Sequence, residues 1–166
     1  MGIGRKLVVL AAFTCVVSSL RAEAPPPDSW PMFRGSQALL GVAKVEFHVK
    51  TFGPLWNFKT QGPVKSTPAI HARRVYVGST DGYLYALDLN TGSKLWAFKT
   101  EGPIESSPLV LNERVFIGST DGALYAVNAA DGKLEWKYAT GEKIIGAVEP
   151  RSKVFVSGSV QFESEG

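Results

Sequence analysis

Three tryptophans, Trp56, Trp96 and Trp136, stand 40 residues apart in this chain. When residues 56–95 are aligned without a gap on residues 96–135, 19 of 40 positions are identical, which chance does not produce. A repeat of this length restricts the fold to architectures in which one supersecondary unit stacks on the next copy of itself. We therefore expect stacked copies of one unit rather than a single irregular core.

Each copy of the repeat divides into four short strands. In the first full copy we expect strands at 64–70, 74–79, 83–88 and 94–100, separated by turn residues. Asp81-Gly82 predicts a tight two-residue hairpin in which both central residues have positive φ. Alternating β-branched and aromatic residues, with Gly or Pro at short intervals, exclude a helical solenoid.

Four antiparallel strands in about 40 residues form the blade of a β-propeller. The predicted fold class is therefore all-β, with full blades at 61–100 and 101–140 and a partial blade at 141–166. Propellers typically have about 4–8 blades, so the sequence predicts an open arc and a fragment of a longer protein. Residues 55–60 match only a fourth strand, whose partner strands are predicted beyond residue 166. The alternative is a short subunit that self-associates through its open blade faces.

The first 24 residues predict a cleaved signal peptide. Arg5 and Lys6 precede an apolar run at 7–17, and small residues follow at 18–24. The run is shorter than the ~20 residues of a membrane-spanning helix, so no membrane span is expected. The alternative is a buried N-terminal strand or helix. We expect a periplasmic or secreted protein, in which residues 25–54 form an extended leader before the repeats at 55–166.

Composition excludes several function classes. Without residues 1–24 the chain has 15 basic and 14 acidic residues, a net charge of +1, so nucleic acid binding is not expected. Cys15 is the only cysteine and lies within the predicted signal peptide, which excludes disulfides, Cys-type zinc sites and a cysteine nucleophile. His48 and His71 have no partner at metal-ligand spacing, so no metal site is predicted. No Ser, His and Asp constellation indicates catalysis.

The recurring tryptophans have two interpretations. They could stack on a ligand, but a large aromatic residue at the same point of every blade is what packing between blades requires. Residues 86–96 and 126–136 resemble the eleven-residue docking motif of the pyrroloquinoline-quinone-like (PQQ-like) β-propeller repeat family. Residues 29–35 resemble the opening of secreted bacterial members. The docking residues that this resemblance implies are Trp56, Trp96, Trp136, Ala86, Gly92, Ala126 and Gly132.

The resemblance implies two different functions. The family includes quinone-dependent alcohol and sugar dehydrogenases, which carry adjacent cysteines, calcium ligands and a catalytic aspartate. It also includes the non-catalytic propeller lipoprotein of outer-membrane protein assembly. The aspartates of this repeat fall in turns, where their usual role is to bond the local backbone. These are Asp81, Asp88, Asp121 and Asp131.

We therefore expect a non-catalytic scaffold that binds a protein partner and needs no cofactor. The alternative is the N-terminal part of a PQQ-dependent dehydrogenase, and PQQ and calcium are expected only in that case. A third interpretation, a carbohydrate-binding propeller, depends on Tyr83, which Ala123 replaces in the next copy.

Two polar residues depart from the repeat and are the candidates for partner binding. Lys65 and Glu105 occupy the same first-strand position of consecutive copies, on the side expected to face the central channel. A solvated channel wall would explain both residues equally well.

Overall fold

The computed structural model describes residues 29–34 and 53–148, which contain eight β-strands and no helix. Two antiparallel sheets of four strands follow one another along the chain, in the spatial orders β1-β2-β3-β4 and β5-β6-β7-β8. This confirms the all-β class and the partial propeller built from four-stranded blades. Blade 1 comprises β1 (Ala69–His71), β2 (Arg74–Gly78), β3 (Tyr83–Asp88) and β4 (Lys94–Lys99). Blade 2 comprises β5 (Leu109–Leu111), β6 (Arg114–Gly118), β7 (Ala123–Asn128) and β8 (Leu134–Ala139).

The two blades have the same strand register. Tyr76 pairs with Ala86 in blade 1, and Phe116 pairs with Ala126 in blade 2. The register between the third and fourth strands also shifts at the same point, after Ala86 and after Ala126. Identical residues at equivalent positions have therefore produced identical ladders, as expected of a true structural repeat.

The first strand of each blade is shorter than expected. Residues 64–68 are not part of β1, so the predicted strand at 64–70 is wrong in extent. Pro68 has no N–H to give to a ladder. The Oγ of Ser66 accepts a hydrogen bond from the Gly78 amide at 2.9 Å, and Ser106 does the same for Gly118 at 2.9 Å. A serine side chain thus takes the place of the backbone pairing that was expected there.

The turn between β2 and β3 also differs from the prediction. Gly82 has a φ of 82°, but Asp81 is not among the residues with positive φ, so the two-residue hairpin is wrong. The Gly82 amide donates to Ser79 O at 3.0 Å, and the Ser79 amide donates to Tyr83 O at 3.0 Å. This is a longer loop that ends in a left-handed glycine. The two-residue turn with positive φ at both positions lies instead between β1 and β2, at Ala72 and Arg73.

The main core lies between the two blades. Ile104 is fully buried, and a Cβ placed on Gly78 would lie 2.2 Å from its Cγ2 atom. Ile144, which follows blade 2, stands in the same relation to Gly118, again at 2.2 Å. Only glycine leaves room for these isoleucines, because real Cβ atoms essentially never approach another atom so closely. Each blade therefore receives an isoleucine from the unit that follows it.

A segment outside the repeat connects the two blades. Trp30 and Ile70 exchange two backbone hydrogen bonds of 2.6 Å, and the Val110 amide donates to Pro31 O at 2.7 Å. The side chain of Met32, in the same segment, is 2% exposed and packs in the cluster that contains Leu109. Residues 30–32 therefore pair with the first strand of both blades. The remaining predicted segments, at 1–28, 35–52 and 149–166, lie outside the described residues.

None of the residues that the structure describes belongs to a helix long and apolar enough to cross a membrane.

Candidate functional site

Two tryptophans of the repeat, Trp56 and Trp96, lie against glycines of the next unit. A Cβ on Gly132 would lie 2.6 Å from the ring of Trp96, whose Nε1 donates to Ala129 O at 3.2 Å. Trp56 lies in the same way against Gly92, at 2.5 Å from the corresponding Cβ position. Both indoles are half-buried and contribute packing between units.

The alanines of the motif lie opposite these tryptophans. Ala86 pairs with Trp96 across the β3-β4 ladder, and Ala126 pairs with Trp136 across the β7-β8 ladder. Both alanines are completely buried. Trp136 is itself half-buried, with its ring centroid 5.8 Å from that of Phe116.

One backbone carbonyl of blade 2 accepts hydrogen bonds from three side chains of blade 1. Ala129 O accepts from Arg74 Nη1 at 2.7 Å, from Tyr76 OH at 3.1 Å and from the Trp96 indole. Burial raises the pKa of Tyr76, and the neighbouring Arg74 opposes part of that rise, so the phenol is a neutral donor. Sequence reasoning missed this cluster. The available signal was that Tyr76 departs from the repeat, since Phe116 stands at the equivalent position.

The loops at one end of the blades form what we call the loop face, residues 60–63, 79–82, 100–103 and 119–122. There Asp81 holds three partners: its Oδ1 accepts from the Tyr83 amide at 3.0 Å, and its Oδ2 accepts from Tyr85 OH at 2.8 Å and from the Gln61 amide at 3.0 Å. Asp121 repeats the arrangement with the amides of Ala123 and Glu101 and with Tyr125 OH.

The electrostatics of this aspartate fit a structural role. Partial burial alone would raise the pKa of Asp81, but the hydrogen bonds from Tyr83, Tyr85, Gln61 and Ser79 outweigh it and lower the pKa below its usual range. The pKa of Tyr85 is raised, first by burial and then by its bond to the Asp81 carboxylate. A carboxylate that is ionised at neutral pH and whose oxygens are already bonded is unsuited to act as a general base.

The two candidates for partner binding contact each other. Lys65 Nζ and Glu105 Oε1 form an ion pair of 2.8 Å, with side chains that are 57% and 29% exposed. The sequence placed them at equivalent positions but did not predict that they would pair. Because the pair remains accessible, it forms part of the exposed surface and is not a buried structural charge.

A lysine side chain covers the ring of Tyr83, the residue considered for carbohydrate stacking. Lys99 Nζ lies 4.4 Å from the centroid of the Tyr83 ring and donates to Asp81 O. The same lysine pairs with Tyr83 across the β3-β4 ladder. A sugar that stacked on this face would have to displace a cation–π contact.

Within 29–34 and 53–148, no three residues of the types His, Cys, Asp and Glu come together as a cluster that could hold a metal ion. Asp88 bonds the backbone of its own turn, and Asp131 pairs with Lys133 at 2.9 Å. His48 and Cys15 lie outside the described residues.

Two four-stranded blades, with a tryptophan of the first packed against a glycine of the second, define a β-propeller repeat protein of the PQQ-like class. The family model described as outer membrane protein assembly factor BamB matches residues 47–166, which is most of the chain. The chain therefore belongs to this family. None of the curated proteins matches the sequence significantly.

Solved structures with the same fold include redox enzymes. The quinohemoprotein alcohol dehydrogenase from Comamonas testosteroni superposes with a TM-score of 0.69 and 24% identity, over 80% of this chain and 23% of that chain. A europium-containing methanol dehydrogenase has a TM-score of 0.66 and 21% identity, over 73% of this chain and 25% of that chain. For BamB from Moraxella catarrhalis the TM-score is 0.47 and the identity 26%, over 51% of this chain and 26% of that chain.

The chain thus spans about a quarter of the length of each of these proteins. The similarity to the two dehydrogenases shows the shared fold.

Proposed function

We propose that this chain is a non-catalytic propeller scaffold that binds a protein partner through its loop face. The observation that carries this proposal is the repeated role of Asp81 and Asp121. In both blades this aspartate holds two backbone amides and one tyrosine hydroxyl. These two carboxylates fix the loops.

The fixed loops present different side chains. Gln61 and Glu101 have backbone amides bonded to an aspartate at 3.0 Å, while their side chains are exposed. Glu101 in turn forms an ion pair of 2.6 Å with Lys137. A rigid backbone with variable exposed residues suits recognition of a protein surface, because little conformational entropy is lost on binding.

Lys65 and Glu105 extend the proposed binding surface. They follow the loops 60–63 and 100–103 in sequence, and their side chains are partly exposed. A charged group of a partner could compete for either residue. Such exposed charges contribute to orientation and association rate more than to affinity.

The proposed compartment is the periplasm or the exterior. The composition of residues 1–24 supports export, and the family description, outer membrane protein assembly factor, supports a role at the cell envelope. The specific partner proposed is therefore a protein of the outer-membrane assembly process.

Site-specific photocrosslinking in living cells tests the proposal. A crosslinking residue at position 61 or 101, on the loop face, is expected to give a discrete adduct with one protein. The matched control positions are 73 and 113, which are also exposed but lie in the turns at the opposite ends of the strands. Equal adducts at all four positions, or none on the loop face, would contradict the proposal.

The dehydrogenase alternative has its own test. Isothermal titration of the full-length protein with PQQ and calcium is expected to show no saturable binding. Stoichiometric binding together with dye-linked alcohol oxidation would establish the alternative and overturn the scaffold proposal.

A further inference from the structure

Three contacts hold the ammonium of Lys99 at one place beside the loop face. Its Nζ donates to Asp81 O and lies 4.4 Å from the centroid of the Tyr83 ring. It also fills the space next to Gly82, where a Cβ would lie only 2.7 Å from it. A flexible side chain is thus given a defined position, although the residue remains exposed.

The fold does not require this arrangement. Blade 2 has the same ladder, yet the pair equivalent to Tyr83 and Lys99 is Ala123 and Ala139. Gly122 still has a φ of 81°, and the atoms nearest to its Cβ position belong to the backbone, at 3.4 Å or more. Because the turn of blade 2 forms without the lysine and without the ring, the turn does not explain why blade 1 has them.

The charge of Lys99 is not balanced by an ion pair within the part of the chain that the structure describes. The carboxylate of Asp81 does not supply one, because both of its oxygens are bonded to loop amides and to a tyrosine hydroxyl. Glu101, in the next loop, is paired with Lys137 at 2.6 Å. An ammonium has three N–H donors, and the bond to Asp81 O uses one of them.

We propose that Lys99, held over the ring of Tyr83, binds a carboxylate side chain of the protein partner. This inference rests on the proposed function and adds the chemistry of the recognised surface, which is an exposed aspartate or glutamate. The two further donors of the ammonium match the two oxygens of a carboxylate, and such charge-assisted hydrogen bonds are the strong ones. Because the ammonium is positioned in advance, little conformational entropy is lost when the partner binds.

The same charge also selects against other partners. A protein that presented a lysine or arginine at this point would place like charges together, which opposes association. Specificity at this site is therefore expected to come from the sign of the partner's charge.

Photocrosslinking from position 61 tests the inference, because the Gln61 amide and the Lys99 ammonium both bond Asp81. In Lys99→Gln the adduct yield is expected to fall by about tenfold, from the loss of a charge-assisted contact. Lys99→Arg keeps the cation and is expected to retain most of the adduct. Lys94→Gln is the matched control, since it removes an exposed lysine from the other end of the same strand, and it is expected to crosslink like the wild type.

Urea unfolding of the purified variants shows whether a lost adduct reflects a lost fold. Lys99→Gln is expected to unfold cooperatively, as the wild type does, because blade 2 forms the same turn with an alanine at the equivalent position.

Charge reversal gives the decisive result. Lys99→Glu is expected to abolish the adduct, and replacing one acidic residue of the captured partner by lysine is expected to restore it. Equal yields for Lys99→Gln and the wild type, or no rescue by any such replacement in the crosslinked segment, would overturn the inference and leave the proposed function standing. No wild-type adduct at position 61 would also overturn the inference, and none at position 101 either would overturn the proposed function with it.

Discussion

Blades 1 and 2 have the same backbone but place a lysine–aromatic contact at different points. In blade 1, Lys99 lies over Tyr83, its partner across the ladder. In blade 2 that pair is Ala123 and Ala139. Its lysine contact lies instead two pairs further along the ladder, where Lys137 Nζ is 5.3 Å from the centroid of Tyr125.

This difference shows which positions the fold determines. The aspartate, the tyrosine bonded to it and the glycines are the same in both blades because turns and close contacts require them. The lysine contact moves because an exposed cation over a ring contributes only about 0.5–1 kcal/mol and two neighbouring sites serve equally well. Specific binding is therefore expected at exposed positions where the blades differ.

The largest expected effect comes from the glycine between the blades. Gly132→Ala places a Cβ against Trp96 at a residue with a φ of 72°, and we expect a loss of about 4 kcal/mol in the free energy of unfolding. Gly92→Ala, which faces Trp56 in a segment that belongs to neither sheet, is expected to cost less. Gly141→Ala is the matched control, since it has a φ of 80° and nothing within 4 Å. Urea unfolding measures all three, and equal losses at Gly132 and Gly141 would contradict the packing argument.

The segment before the repeats is expected to stabilise blade 2. Met32→Ala removes a buried side chain from the cluster with Leu109, and we expect a loss of about 3 kcal/mol in the free energy of unfolding. Arg34→Ala, at an exposed position in the same segment, is the control and is expected to cost little. Equal effects of the two substitutions in thermal or urea unfolding would show that the segment does not pack as described.

The aspartate of blade 1 is expected to make stability depend on pH in the acid range. Folding lowers the pKa of Asp81 below its usual 3.8, so its contribution is present above that value and is lost as pH falls through the folded-state pKa. Asp81→Asn is therefore expected to be less stable than the wild type at neutral pH, and the gap should narrow below about pH 4. Unfolding measured from pH 2 to 7 checks this, and a gap independent of pH would contradict it.

The smallest expected effect belongs to the ion pair between the blades. Lys65 and Glu105 are partly exposed, so we expect a coupling of about 0.5 kcal/mol in a double-mutant cycle with alanine. The coupling should decrease in high salt, since exposed charges are screened. A salt-independent coupling well above this value would show that the pair is a structural element and not part of an open surface.

Most of the fold could be predicted from the sequence because the repeat unit that forms a blade occurs twice in it. Trp96 and the glycine that it contacts, Gly132, recur at a fixed spacing, and so did the strands around them. The pair of Lys65 and Glu105 was also accessible in principle, because opposite charges at one repeat position lie side by side when units stack.

The features that the sequence did not predict are of two kinds. Some lie outside the repeat, and others depend on individual hydrogen bonds. Met32 lies in a segment with no second copy, so no periodicity marked it as core. The side chain of Ser66 bonds the Gly78 amide where a strand was predicted, and the strand propensities of the residues do not indicate such a bond. The donors that converge on Ala129 O come from residues far apart in the chain, and only Tyr76, where the repeat is broken, gave any sign of them.

The central claim is that the indole of blade 1 packs against a glycine turn of blade 2, and a double-mutant cycle between Trp96 and Gly132 tests it most directly. In the wild-type background Gly132→Ala is expected to cost about 4 kcal/mol in the free energy of unfolding, whereas in a Trp96→Ala background only the backbone strain of about 1 kcal/mol should remain. The same cost in both backgrounds would contradict the account.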